Sequence, residues 1–173
     1  GRSEASLQLF YQMRETEVLP DRYVLSSVLS ACSMLEFHEG GKQIHAYVLR
    51  RGTEMDVSVS NVLIDFYVKC GRVKTGQKLF DQMAVKNVIS WTTMIAGYMQ
   101  NSFDWEAMKL FTDMSRLGWK PDGFACTSVL TSCGSLEALE QGRQVHAYAI
   151  KANLESDEFV NNGLIDMYSK CDS

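Results

Sequence analysis

The residues of this 173-residue chain with the chemistry to react or to ligate are five cysteines, three histidines and 21 acidic side chains. A structural zinc needs thiolates and imidazoles in close pairs. No Cys-x-x-Cys occurs, and Cys126 and Cys133 have no histidines at finger spacing. The His-x-Glu and Cys-x-x-Cys signature of a zinc deaminase is absent too. Cys32 and Cys133, Cys70 and Cys171, and His45 and His146 are each separated by the same 101 residues. Recurrence at one interval marks repeat positions, read as small buried hydrophobes and helix-packing imidazoles rather than nucleophile and base. No metal, cofactor or catalytic residue is expected, and five reduced thiols suit an intracellular compartment.

The interval of 101 runs through the whole chain. Pro20-Asp21 maps onto Pro121-Asp122, Gln43-Ile44-His45-Ala46-Tyr47 onto Gln144-Val145-His146-Ala147-Tyr148, and Asn61-Val62-Leu63-Ile64-Asp65 onto Asn162-Gly163-Leu164-Ile165-Asp166. Residues 3–72 and 104–173 share 27 identities in 70 positions. Leu79-Phe80-Asp81-Gln82-Met83 also echoes Leu110-Phe111-Thr112-Asp113-Met114 and Leu9-Phe10-Tyr11-Gln12-Met13, at offsets of 31 and 70. An Asp or Asn ahead of each apolar helix then divides the chain into 1–21, 22–56, 57–87, 88–122, 123–157 and 158–173, with both end units cut.

Each complete unit must supply two helices. In 88–122, Val88, Trp91, Met94, Ile95 and Tyr98 form one apolar stripe, and Ala107, Leu110, Phe111 and Met114 a second. Gly118 followed by Pro121 stops the second helix. The 22–56 unit carries Val28, Leu29 and Cys32, then Ile44, Tyr47 and Val48; the 57–87 unit carries Val59, Leu63, Ile64 and Tyr67, then Leu79, Phe80 and Met83. The nine methionines and the Tyr and Trp residues at helical spacing read as core filler. No stretch alternates at period two. Short helix pairs cannot bury an apolar face alone, so they stack on their neighbours, which makes the fold an all-α, α-α superhelical solenoid.

Composition narrows the function classes. A hydrophobic share of 46% excludes a disordered tail, and no apolar run approaches the length of a membrane span, so no membrane partner is expected. A net charge of −4 speaks against sequence-blind nucleic-acid binding through many phosphate contacts. The chain opens Gly1-Arg2-Ser3, without an initiator Met or leader pattern, and reads as an excised fragment with any targeting segment outside it.

Two columns of the repeat stand apart from the core. The fifth residue of each unit is Ser26, Asn61, Thr92, Thr127 or Asn162, although Ser, Thr and Asn are mediocre inside helices. The unit-final residues are Asp21, Asp56, Asn87, Asp122 and Asp157, each ahead of a helix it can cap. A carboxylate has lone pairs for a cap and a ligand together.

These residues resemble plant pentatricopeptide-repeat proteins of the subclass with alternating P, L and S repeats. Leu63-Ile64-Asp65-Phe66-Tyr67-Val68-Lys69-Cys70-Gly71 is similar to the S-repeat signature. Gly41-Lys42-Gln43-Ile44-His45-Ala46-Tyr47 and Gly142-Arg143-Gln144-Val145-His146-Ala147-Tyr148 are similar to the L-repeat signature, and Val88-Ile89-Ser90-Trp91-Thr92-Thr93-Met94-Ile95-Ala96-Gly97-Tyr98 to a P-repeat start. On that resemblance, 1–21 is a partial P repeat, 22–56 L, 57–87 S, 88–122 P, 123–157 L and 158–173 a partial S repeat.

The resemblance implies single-stranded RNA binding, one base per repeat. The implied readers pair as Ser26/Asp56, Asn61/Asn87, Thr92/Asp122 and Thr127/Asp157, with Asn162 and Asp21 left without partners. Thr or Ser with Asp implies guanine, and Asn with Asn implies cytosine. The second residues Tyr23, Ser58, Ile89, Phe124 and Phe159 would flank the bases, Ser58 departing from the usual bulky type. The family further implies an organellar setting, mitochondrion or chloroplast, in RNA processing or editing, with an editing-factor protein contacting L repeats. The cut end repeats imply end-to-end self-association. A tetratricopeptide-like protein-binding solenoid is the alternative, on the small-x-x-x-Phe spacing of Ala107 to Phe111 and Gly76 to Phe80.

Overall fold

The computed structural model describes residues 2–16, 18, 20–50 and 56–172. Gly1 and Ser173, which bound the two cut units, and residues 51–55 of the 22–56 unit lie outside the described residues. Among the described residues there are ten helices and no strand: α1 (Arg2–Arg14), α2 (Arg22–Met34), α3 (His38–Arg50), α4 (Val57–Lys69), α5 (Val73–Gln82), α6 (Val88–Gln100), α7 (Asp104–Arg116), α8 (Gly123–Ser135), α9 (Leu139–Lys151) and α10 (Glu158–Cys171).

The helices start by two different devices. α2, α4, α6, α8 and α10 each follow an Asp or Asn in extended conformation whose side chain accepts a backbone N–H of the first turn. α5, α7 and α9 start without a side-chain cap. α3, α5, α7 and α9 each follow a sharp reversal, in which Glu36, Gly71, Ser102 and Glu137 take φ of 52°, 69°, 61° and 52°. The next N–H then reaches back to a carbonyl five residues earlier, as in Phe37 N to Cys32 O at 2.8 Å and Ala138 N to Cys133 O at 2.9 Å. Gly118, at φ 84°, ends α7 in the same way, with Trp119 N donating to Met114 O.

The chain forms two compact units, residues 1–85 and 86–173. In the first, α2 packs against α1, α3 and α4, and α4 against α5. In the second, α6 packs on α7 and α8, and α8 on α7, α9 and α10. Within each unit the capped helices therefore lie side by side, α2 with α4 and α6 with α8 and α10. The uncapped helices back them.

The apolar stripes read from the sequence are the core. Leu29, Cys32, Ile44, Leu63, Ile64, Met94, Ile95, Ala107 and Met114 are all buried. The core-filler reading needs correction at Met34 and Trp105, which are exposed because helical spacing fixes a face without saying whether a neighbour covers it, and at Trp119, which is exposed in the turn after α7. Met55 lies outside the described residues. Both histidines of the repeat are packing residues: His45 Nδ1 pairs with the Tyr67 hydroxyl at 2.9 Å and His146 Nδ1 with Tyr168 at 3.0 Å. Each tie joins a second helix to the first helix of the next repeat.

Three of the thiols, Cys32, Cys126 and Cys133, are buried and held protonated. Burial pushes Cys32 up to about 11 and Cys133 up to about 12. Cys126 also reaches about 12, through burial first and the nearby Asp122 and Asp157 carboxylates second. Among the described residues no three His, Cys, Asp or Glu side chains are grouped to hold a metal ion. Chelator and reductant should each leave Tm unchanged in thermal unfolding. A drop of several degrees with either would mean that a metal or a disulfide contributes to the fold.

Candidate nucleic-acid interface

The capped edge of each unit gathers the polar columns. Asp21 Oδ1 accepts from Val24 N at 2.9 Å, Asp56 Oδ1 from Val59 N at 2.7 Å and Asp122 Oδ1 from Ala125 N at 2.9 Å. Asp157 Oδ1 accepts from both Phe159 N and Val160 N, at 2.9 and 3.2 Å. Asn87 forms a full capping box, its Oδ1 accepting from Ser90 N and its backbone N–H donating to Ser90 Oγ. Ser90 was missed in the sequence, where its place at the third helical position after Asn87 was the available signal. Each aspartate cap is made through Oδ1 alone.

The fifth residues are one turn into the same helices. Thr92 Oγ1 donates to Asp122 Oδ1 at 3.2 Å, so this pair is brought into direct contact. The same residue types at Thr127 and Asp157 are not: Thr127 Oγ1 donates to Gly123 O of its own helix at 2.9 Å. Ser26 is half-buried, and Asp56 holds its cap without a bond to it. Asn61 is buried in the first unit, and Asn87 caps α6 in the second. Asn162 is exposed on α10.

Four of the five second residues are exposed apolar side chains. Tyr23, Ile89, Phe124 and Phe159 are 67%, 61%, 60% and 74% exposed, and Ser58 is exposed at the same position of α4. Each stands one turn ahead of the fifth residue on its helix, so an apolar group and a polar group share one edge. Tyr23 differs from the others: the Arg22 guanidinium lies 4.9 Å from its ring centre and donates to its hydroxyl at 3.1 Å. That contact also went unread, though Arg22 directly precedes Tyr23.

Comparison with known proteins identifies the repeats. A PPR repeat model matches residues 58–88 and a PPR repeat family model residues 86–135. A pentatricopeptide repeat-containing protein of Arabidopsis thaliana is 65% identical over 172 residues, 99% of this chain and 21% of that protein. A second, chloroplastic, one from the same plant is 42% identical over 171 residues, 99% of this chain and 20% of its own length. The chain thus spans about a fifth of the length of these relatives. The solved structure of maize PPR10 with an 18-nt psaJ RNA element matches with a TM-score of 0.76 at 22% identity, covering 92% of this chain and 24% of that one. That likeness establishes the repeat solenoid fold. Sequence and fold together show that the chain is a pentatricopeptide-repeat-containing protein of plant type.

Proposed function

We propose that the chain binds single-stranded RNA one base per repeat through the edge just described, by binding and not by catalysis. The observation that carries the reading is the Thr92–Asp122 contact, with exposed Ile89 one turn before Thr92 and exposed Phe124 two residues after Asp122. Adjacent helices about 8–10 Å apart leave room for a flat base between such side chains. Because the Thr92 proton is given to Asp122 Oδ1, the hydroxyl oxygen faces a base as an acceptor, and the second Asp122 oxygen is another. Two neighbouring acceptors suit the two adjacent N–H donors of guanine. The readers are Ser26/Asp56, Asn61/Asn87, Thr92/Asp122, Thr127/Asp157, Asn162 and Asp21, flanked by Tyr23, Ser58, Ile89, Phe124 and Phe159.

The repeat order in the sequence supports the subclass with alternating P, L and S repeats. Together with a chloroplastic relative, it supports an organellar RNA-processing or editing role with a protein partner on the L repeats. Gel shifts comparing a single-stranded RNA pool with duplex DNA test the core of this reading. Weak, base-dependent RNA binding is expected, with a salt slope of fewer than about four charges. Equal affinity for duplex DNA would refute it.

The ends support self-association. A groove of about 330 Å³ between α1 and α2 is lined by Leu9, Phe10, Met13, Tyr23 and Val28. The equivalent surface 101 residues on, formed by α7 and α8, is covered by α6. Ile165 on α10 is 69% exposed, whereas its equivalent Ile64 is fully buried. The α10 of a second copy is therefore expected in the α1–α2 groove. Sedimentation should show mass rising with concentration, suppressed by Ile165→Glu; a concentration-independent monomer would count against it.

A further inference from the structure

The second unit contains the same reader types twice, Thr92/Asp122 and Thr127/Asp157, yet only the first pair is in contact. The two repeats also differ in their first residue. In 88–122 that residue is Val88, a branched side chain at the start of α6. In 123–157 it is Gly123, and the Asp157 carboxylate has settled against its bare backbone. A Cβ placed on Gly123 would collide with Asp157 Oδ2 and come within 3.2 Å of its Cγ. The caps differ accordingly. Asp122 has ψ 175° and its Oδ1 serves Ala125 N and Thr92 together. Asp157 has ψ 113° and its Oδ1 serves Phe159 N and Val160 N. Gly123 and Thr127 are four residues apart on one face of α8, and the single Thr127 hydroxyl proton is spent within that face and not on Asp157. That hydroxyl turns to the Gly123 carbonyl.

We propose that the first residue of a repeat is a specificity-positioning residue: a β-branched side chain there holds the closing carboxylate on the fifth residue, and glycine lets it fall away. The 88–122 repeat then presents two acceptors a hydrogen bond apart, matched to the paired donors of guanine. The 123–157 repeat presents the same groups separated, and discriminates weakly although its reader residues are the same. Gly123 is thus a latent control point, and supplying the missing side chain strengthens base reading. This inference rests on the reading that these side chains face nucleotides.

The test uses the whole 173-residue chain in competition among RNAs varied separately at the nucleotides facing the two repeats. Wild type is expected to prefer guanine clearly at the 88–122 nucleotide and weakly at the 123–157 nucleotide. Gly123→Val should raise the second preference by about fivefold or more, the lower end of a bidentate base contact, and leave the first within about twofold. In the free variant the Asp157 carboxyl carbon resonance should move towards that of Asp122. The reciprocal Val88→Gly should lower the preference at the 88–122 nucleotide alone, and it decides the matter if Gly123→Val does not fold. Equal wild-type preference at both nucleotides, or a folded Gly123→Val with no gain, overturns the inference while leaving RNA recognition standing. Absence of any wild-type preference at the 88–122 nucleotide instead overturns the recognition reading, and this inference with it.

Discussion

Thr92→Asn is expected to move the base favoured by the 88–122 repeat from guanine towards uracil, by about 1–3 kcal/mol or roughly 5- to 150-fold. The wild-type hydroxyl gives its only proton to Asp122 Oδ1, so on the proposed reading Thr92 and Asp122 would both meet a base as acceptors. Guanine supplies two adjacent donors to that edge. An Asn side chain carries an acceptor and two donors, which matches the donor of uracil between its two acceptors. Helix stability should barely change, since Thr and Asn have similar propensities. Thr92 is buried, so Asn must fit its extra volume beside Asp122. Competition among four RNAs differing at the one matching nucleotide reads the shift. A folded variant that keeps its guanine preference would remove Thr92 from the readers.

Gly41→Ala should destabilise the first unit by about 2–3 kcal/mol, while the equivalent Gly142→Ala in the second should stay within about 1 kcal/mol of wild type. The two glycines stand 101 residues apart at the same repeat position. A Cβ on Gly41 would enter the ring of Phe66, which is buried and packed edge-on to Tyr67 at 5.1 Å. A rigid ring with almost no exposed surface has little room to retreat. A Cβ on Gly142 meets the sulfur and methyl of Met167 instead. Three rotatable bonds let that chain move aside. The helix-propensity gain of about 1 kcal/mol for Gly to Ala then offsets most of the remaining strain. Urea unfolding, with amide exchange read separately in α3 and α9, distinguishes the two. Equal losses at both glycines would show that Phe66 yields as readily as Met167.

Much of the fold was legible before any coordinates. The period of 101 follows from matching letters, and the apolar stripes at three- and four-residue spacing gave the helices and most of the core. The five caps followed from Asp or Asn ahead of each stripe, because a short acceptor at that point satisfies an otherwise orphaned N–H. Local chemistry of this kind needs no neighbour. Met34 and Trp105 differ for the opposite reason: their spacing is helical, but burial depends on which helix lies opposite, and Trp119 stands beyond the end of α7. The candidate edge was legible as residue columns, and its apolar members Tyr23, Ile89, Phe124 and Phe159 entered only through family resemblance. Their exposure is what sets them apart from the equally apolar core.

What the sequence by itself determined is the repeat, the helix pairs, the caps and the identity of the fifth and closing residues. These are written in short-range patterns that a chain of L-residues must obey wherever it folds. Only the tertiary structure decided which of those residues touch. Thr92 and Asp122 are 30 residues apart and meet because α6 and α8 lie side by side. Thr127 and Asp157 are equally far apart in sequence, yet Thr127 donates to the Gly123 carbonyl while Asp157 Oδ2 lies beside Gly123. The physical reason is that a hydrogen bond a few ångströms long is set by the volume of the side chains around it. That volume is shared between helices from different parts of the chain, and no single stretch of sequence contains it.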